Sequence, residues 1–474
     1  MVEYSDRGEI YTDYTYNAVG DLKTITNHAG VATVFDYDTL GRMRSMNDPD
    51  MGFWQYDYDS NGNLKAQVDH KQQTVEFDYD ELDRVTSKSY STLDSQVSYK
   101  YDNPEVPNGI GRLHSVSNSQ VTVTYDEYDE MGRQISVSKK IAGDETVFTT
   151  HNEYDLAGDL IALIYPDGYR VDYVLHPGTR LIHRVAGPEE VELAVFEDYE
   201  PGAKIGYIYQ GNGTATTFSY DCQSTRLLDI RILDPSVNPA NDITNKSYRY
   251  TPAGDIKEIT DHLKNVTRYY GYDKLHRLIS ETSSDVALVH PSRVIKLTYN
   301  YEGDGPFHAP KAIEANGAAH HPAYDQNGNM TVSPNLADPE VVPYREISYN
   351  ADNMPSQISL PAENPTGTNC IDSQPGAQCT QKVEFIYDGD SKRARKTSSQ
   401  GSTYYIDEYF EIIDGTPIKY IFAGNLRIAK ITSSETQYFH KDHLQSSTAV
   451  TNDLGEKMET TEYFPFGYER SHTG

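Results

Sequence analysis

The sequence predicts an all-β fold: hairpins built on a Tyr-Asp repeat and laid side by side into a spiralling antiparallel sheet. Three observations carry this. Four segments of one pattern are led by Tyr16, Tyr37, Tyr58 and Tyr79, each 21 residues after the last. Apolar and polar residues alternate just before the leading tyrosines, as in Val75-Glu76-Phe77-Asp78-Tyr79 and Val121-Thr122-Val123-Thr124-Tyr125. Such period-two alternation, rich in β-branched and aromatic residues, marks a strand with one buried face. Finally, almost no segment sustains the helical period of 3.6.

Each copy reads Tyr-Asp-x-x-Gly-(Arg/Asn/Asp)-apolar. The first runs from Tyr16 through Gly20 to Leu22, with Asn17 in the Asp slot. Tyr37, Asp38 and Gly41 form the second, and Tyr58, Asp59 and Gly62 the third. Tyr79 and Asp80 lead the fourth, where Asp83 fills the Gly slot. Further copies are Tyr128-Asp129 with Gly132, Tyr154-Asp155 with Gly158, Tyr250 with Gly254 and Tyr272-Asp273 with His276. Tyr324-Asp325 with Gly328 and Tyr349-Asn350 with Asn353 follow. Gaps between the later copies widen, and such insertions belong in loops.

The residues from Asp to Gly are expected to form a turn, because an aspartate carboxylate bonds nearby backbone N–H groups. Gly, Asp, Asn and His, the types found in the Gly slot, tolerate a left-handed backbone better than most. The apolar residue two places later starts the second strand, as in Leu64-Lys65-Ala66-Gln67-Val68. One repeat is then one hairpin. A lone hairpin cannot bury its face, so successive copies must stack. The repeated tyrosines are expected to fall in rows, ring on ring, with the hydroxyl at a wetter end. One sheet face is free to look into a solvated cavity.

Composition agrees with this and excludes other classes. The chain has 474 residues, with 41 Lys plus Arg against 71 Asp plus Glu, a net charge of −30. Such an acidic chain repels phosphate backbones, so no nucleic-acid partner is expected. No run of apolar residues is long enough for a membrane-spanning helix. The start, Met1-Val2-Glu3-Tyr4, lacks the basic and apolar segments of a signal peptide. Tyrosines number 39 against 13 Phe and 1 Trp, so ring burial is accompanied by a hydroxyl to be bonded. Length alone suggests about three domains of ~150 residues, but the periodicity overrides that count.

The repeat resembles the YD repeat of the Rhs family, and the C-terminal stretch strengthens the resemblance. Tyr438-Phe439-His440-Lys441-Asp442-His443-Leu444 leads through Val450-Thr451-Asn452-Asp453-Leu454-Gly455 to Tyr463-Phe464-Pro465-Phe466-Gly467. This is similar to the start of the Rhs core region, with His440, Asp442, His443, Leu444, Tyr463, Pro465 and Gly467 at matching places. Gln445 departs from it, standing where glycine is usual. The family comprises bacterial Rhs effectors, the B and C components of insecticidal toxin complexes, wall-associated bacterial toxins and animal teneurins.

The resemblance implies a hollow shell, a β-cocoon, that in bacterial members houses a cleaved, toxic C-terminal polypeptide. It divides the chain into a repeat shell over 1–437, with loop insertions near 176–204, 302–345 and 361–381, and the start of the core region over 438–474. The family's self-cleaving aspartyl site lies beyond the Tyr-Phe-Pro-Phe-Gly block. The chain is therefore expected to be a fragment, a split subunit or a trimmed form, without protease aspartates or toxin. The implied partners are the C-terminal toxin polypeptide and other shell or delivery subunits. The implied location is outside the bacterial cell, secreted or delivered. No catalytic residue, metal or cofactor is assigned.

Cys370 and Cys379 flank a Pro-Gly turn, which suits a loop disulfide if the protein is exported, or two free thiols on a surface loop. Cys222 reads as a repeat position. Asp59-Ser60-Asn61-Gly62-Asn63 and Asp325-Gln326-Asn327-Gly328-Asn329 are faintly similar to calcium loops but lack the EF-hand spacing, so both read as turns. His440 and Asp442 would share one strand face, with Lys441 and His443 on the other, which separates the histidines. The leading function is a non-catalytic shell segment that encloses or presents a toxin. The alternative is a cell-surface or glycan-binding adhesion module.

Overall fold

The computed structural model describes residues 2–5, 8–91, 96–234, 241–284, 296–315, 317–334, 344–361, 380–467 and 469–474. Cys370 and Cys379 lie outside these residues, as does most of the 361–381 segment. Among the described residues the regular structure is almost all strand, with two short 3-10 turns. One antiparallel sheet runs through 27 strands, from Asp13–Tyr16 to Ala318–His320. A second, of 14 strands, runs from Ala323–Tyr324 to Glu469–Thr473. In both sheets strands pair with their neighbours in sequence, so the chain folds as one long meander. Val2–Ser5 and Gly8–Tyr11 form a small separate hairpin.

The sheet explains why the repeat is 21 residues long. One copy contains two strands and two turns, one turn at each end of the sheet. At the Tyr-Asp end the register slips by one residue at the leading tyrosine, as between Asp36 and Tyr37 or Asp57 and Tyr58. This is a bulge beside a tight turn, the arrangement that a left-handed residue after a type I turn produces. At the far end Asn27 plays the aspartate's part, its side chain accepting the N–H groups of Ala29 and Val31. The sequence signal for these far turns, Asn27-His28-Ala29-Gly30 and Asn452-Asp453-Leu454-Gly455, was present but unread.

Two of the three expected loop insertions contain short strands of the sheet. Ile182–Ala186 and Glu192–Glu197 are paired strands within 176–204. Ala312–Ala315, Ala318–His320, Ala323–Tyr324 and Met330–Pro334 are strands within 302–345. Pro177, Pro188 and Pro201 fall between strands, so the ladders lose no donor there. The sheet also runs without a break through residue 438, since Thr436–Lys441 pairs on both sides.

Burial is uneven. Residues 11–68 include no buried side chain, so this part of the wall is one sheet thick with no second layer over it. The main core gathers instead where the two sheets meet. Val121, Ile141, Leu163, Tyr165, Val185 and Phe196 of the first sheet pack with Phe410, Ile421, Ile428 and Tyr438 of the second.

Contacts across this seam join residues 249–290 positions apart, most of them 249–269, from Asp69 with Asn327 to Tyr165 with Tyr420. The sheet therefore returns onto itself after roughly one fixed length of chain. Further along, the separation falls to 198 at Lys264 with Glu462 and 189 at Glu281 with Arg470. The second winding uses fewer residues than the first there, so the spiral tightens towards that end.

Candidate functional site

The Tyr-Asp turn is the unit from which the wall is made. In the second copy Asp38 accepts the N–H groups of Leu40 at 2.8 Å and Arg42 at 3.0 Å, and the Arg42 Nε at 2.7 Å. Asp59 takes the N–H groups of Asn61 and Asn63, Asp80 those of Leu82 and Arg84, and Asp155 those of Ala157 and Asp159. Asp129 takes the Arg133 N–H, Asp273 those of Leu275 and Arg277, and Asp325 those of Asn327 and Asn329. Hydrogen bonds to the ionised form favour it. The Arg42 backbone N–H chiefly, with the Arg42 side chain, holds Asp38 below its usual range despite some desolvation, and Arg84 does the same for Asp80. Gly41 closes its turn with φ of 78°, and Asp83, His276 and Asn353 take the same left-handed conformation at 59°, 60° and 57°.

Among the described residues the leading tyrosines of successive copies do not stack on one another, although Tyr128 stacks on Tyr125 of its own strand at 6.2 Å. Leading tyrosines of successive copies lie two strands apart, about 9.5 Å, beyond the ~4.5–7 Å of a ring pair. Many instead reach back to the copy before them. Tyr58 donates its hydroxyl to the Met43 carbonyl at 2.8 Å, Tyr79 to Leu64 at 2.8 Å, Tyr101 to Val85 at 3.0 Å and Tyr349 to Met330 at 2.9 Å. The arginine of the preceding turn covers the ring: Arg42 lies 4.8 Å from the Tyr58 centroid, Arg84 4.4 Å from Tyr101 and Arg133 4.9 Å from Tyr154. In Tyr58 and Tyr101 hydroxyl and ring face are thus both engaged within the sheet. Tyr16, in the first copy, remains 60% exposed.

At the seam, far-end turns and strands of one winding meet Tyr-Asp turns of the next. Lys71 pairs with Asp325 at 3.1 Å, and Asn327 donates to Asp69 at 2.6 Å. Lys88 and Tyr90 both reach Asp352, each at 2.6 Å. Lys139 and Asp388 form a buried ion pair at 2.9 Å, and Thr150 donates to Asp407 at 2.6 Å. The Asp325 loop thus has its carboxylate occupied by N–H groups and a lysine, as a turn rather than a cation cradle.

The C-terminal block contains one more turn of the same kind. The strand Thr436–Lys441 stops before Asp442, so the alternation assumed for residues 440–443 ends there. Asp442 accepts the N–H groups of Leu444 and Ser446, each at 2.9 Å, and Gln445 takes φ of 66° in the glycine slot. Tyr463 then donates to the Ser447 carbonyl at 3.1 Å, as the leading tyrosines do. Leu444 is exposed and Cys222 lies exposed in its own turn. His440 is buried with Nε2 3.0 Å from the Thr451 hydroxyl, and burial lowers its pKa to about 3, so it stays neutral. His443 packs on Tyr248 at 4.9 Å. Pro465 and Gly467 bound a single 3-10 turn whose middle residue, Phe466, has φ of 66°.

Around this block lies a buried ionic cluster that the sequence reading missed. Arg268 donates to Glu462 at 2.7 Å, Lys264 also pairs with Glu462, and Arg470 pairs with Glu281. Burial opposes the charge on Glu462, yet Arg268, Lys264 and Lys246 hold its pKa at about 2. Burial raises Glu281 in spite of Arg470 and Arg268.

Residues 1–151 match the Teneurin YD-shell family profile. The Yersinia entomophaga toxin subunit YenC1 is 22% identical over 404 residues, covering 68% of this chain and 39% of the relative. YenC2 of the same organism is 26% identical over 176 residues, covering 34% of this chain and 18% of the relative. The chain is similar to the YD shells of the Rhs family. The chain also aligns with a Photorhabdus luminescens Tc holotoxin pore, with a TM-score of 0.75 and 14% identity over 99% of this chain and 27% of that one. A TcdB2-TccC3 crystal structure aligns with a TM-score of 0.73 and 14% identity over 99% of this chain and 28% of that one. The chain thus spans less than two fifths of the relatives it matches.

Proposed function

We propose that this chain is a non-catalytic wall segment of a bacterial toxin shell, enclosing or presenting a toxic C-terminal polypeptide. On this reading it works with other shell or delivery subunits and acts outside the cell that makes it. The observation that carries the reading is the wall itself. A sheet one layer thick, uncovered along residues 11–68, comes round to meet its own later strands at a seam. A globular enzyme would cover such a face with a second layer to build a core, whereas a container leaves it open. The toxin-subunit names of the relatives agree with this. The net charge of −30 suits a soluble carrier.

The adhesion alternative draws on the same tyrosines for sugar stacking. Tyr58, Tyr101, Tyr128, Tyr250 and Tyr301 each have one face under an arginine and the hydroxyl bonded, which leaves little for a glycan. Cryo-electron microscopy of the natural assembly that contains this chain tests the proposal. Residues 13–473 should form wall, with polypeptide density inside. A second protein layer covering the inner face throughout, with no enclosed space, would overturn it.

A further inference from the structure

Beside the Tyr463–Gly467 block lies a cavity of about 460 Å³, within the size range of small-molecule sites. Its walls come from the two windings: Lys246, Tyr248, Ile259, Tyr270 and Tyr272 from one, His443, Glu462, Phe464 and Phe466 from the other. Its lining is mostly apolar and aromatic, with a few charged groups converging on it.

Those charges are not all satisfied. Arg268, Lys264 and Arg470 have carboxylate partners in Glu462 and Glu281. Lys246 has none: among the described residues its ammonium makes no hydrogen bond and no ion pair, and Asp261, Glu462 and Asp442 act on it only from further away. Two other lining residues carry buried polar atoms without a hydrogen-bond partner, Arg268 at Nε and His443 at Nδ1. Lysine and arginine can only donate, and the Arg268 Nε has Glu281 no nearer than 3.7 Å, so the unmet need at these two is for an acceptor. The apolar wall is also held under strain. Phe466 sits at φ of 66°, where a bulky residue is disfavoured, and is braced edge-on against Tyr299 at 5.3 Å.

We propose that this cavity binds a small monoanionic amphiphile, a carboxylate carried on an aliphatic or aromatic body. Lys246 receives the carboxylate, and the rings of Tyr248, Tyr270, Tyr272, Phe464 and Phe466 enclose the body. A charge-assisted bond in such a dry setting is about twice as strong as a neutral one, so the charge sets the preference. Burial pushes the free Lys246 ammonium down from its ordinary range, and a bound carboxylate would restore its proton.

Isothermal titration of the full chain with decanoate and with decanol tests this. Decanoate should bind saturably at one site, at least tenfold more tightly than decanol. Lys246→Met, which keeps the apolar stem, should remove that difference, and Phe466→Ala should weaken both probes. The comparison of the two probes uses the native chain and holds even if Lys246→Met does not fold. No saturable decanoate binding, equal binding of decanol or undiminished preference in Lys246→Met would each overturn the proposal.

Discussion

A tyrosine at the head of a repeat differs from phenylalanine by one hydroxyl, and that hydroxyl ties one copy to the copy before it. Tyr79 bonds the Leu64 carbonyl at 2.8 Å across the hairpin boundary. Tyr79→Phe keeps the ring and removes the bond, so it should cost about 0.5–1.5 kcal/mol. Urea denaturation checks this as a lower midpoint at unchanged slope; an unchanged midpoint would deny the hydroxyl its role. Gln445 gives the opposite case. It occupies a glycine slot at φ of 66°, so Gln445→Gly should raise stability by roughly 0.5–1 kcal/mol. The glycine slot could be read from sequence because one residue's backbone preference decides it. The arginine over the ring could not, since Arg42 and Tyr58 belong to different copies and meet only once the register is known.

Turns and strands form the next level, and here carboxylates pull in two directions with pH. The turn aspartates Asp38 and Asp80 have lowered pKa values in the folded chain. Their stabilisation is present above the unfolded value of about 4 and is lost as pH falls through the folded value below it. Burial raises Asp407, Asp390 and Glu411 at or near the seam. Their charged forms burden the fold above their raised pKa, and acidification relieves them until pH reaches about 4. Urea midpoints measured from pH 7 downward should therefore first rise, then fall below about pH 4. Asp407→Asn keeps an acceptor for Tyr409 and Phe410 but no charge, and should shrink the rise. A full rise in that variant would show that Asp407 takes no part in it. The Tyr-Asp turns were legible because Asp, Gly and the apolar residue recur at fixed offsets. The far turns and the strands inside 176–204 were harder to read, because their aspartate and glycine slots vary and prolines suggested loops.

At the scale of the molecule, stability rests on a seam that no local pattern announces. Lys139 and Asp388 are 249 residues apart, and what brings them together is the curvature summed over many hairpins. Lys139 looked like an ordinary polar position in an alternating strand, yet its side chain is 8% exposed and that of Asp388 4%. Removing one partner of a buried pair strands the other charge, so Lys139→Met should cost about 3–5 kcal/mol. Replacing both, as Lys139→Met with Asp388→Leu, removes the stranded charge and should recover most of that loss. Hydrogen exchange separates a seam effect from a local one. The single variant should speed exchange in Gln134–Ile141 and also in Thr380–Tyr387, which lies a full winding later. The double variant should slow both again. If exchange rises in the mutated strand alone, the two windings are not energetically coupled through this pair, and the wall would have to be held by its apolar contacts, Ile141 and Leu163 against Ile421 and Ile428, without help from its charges.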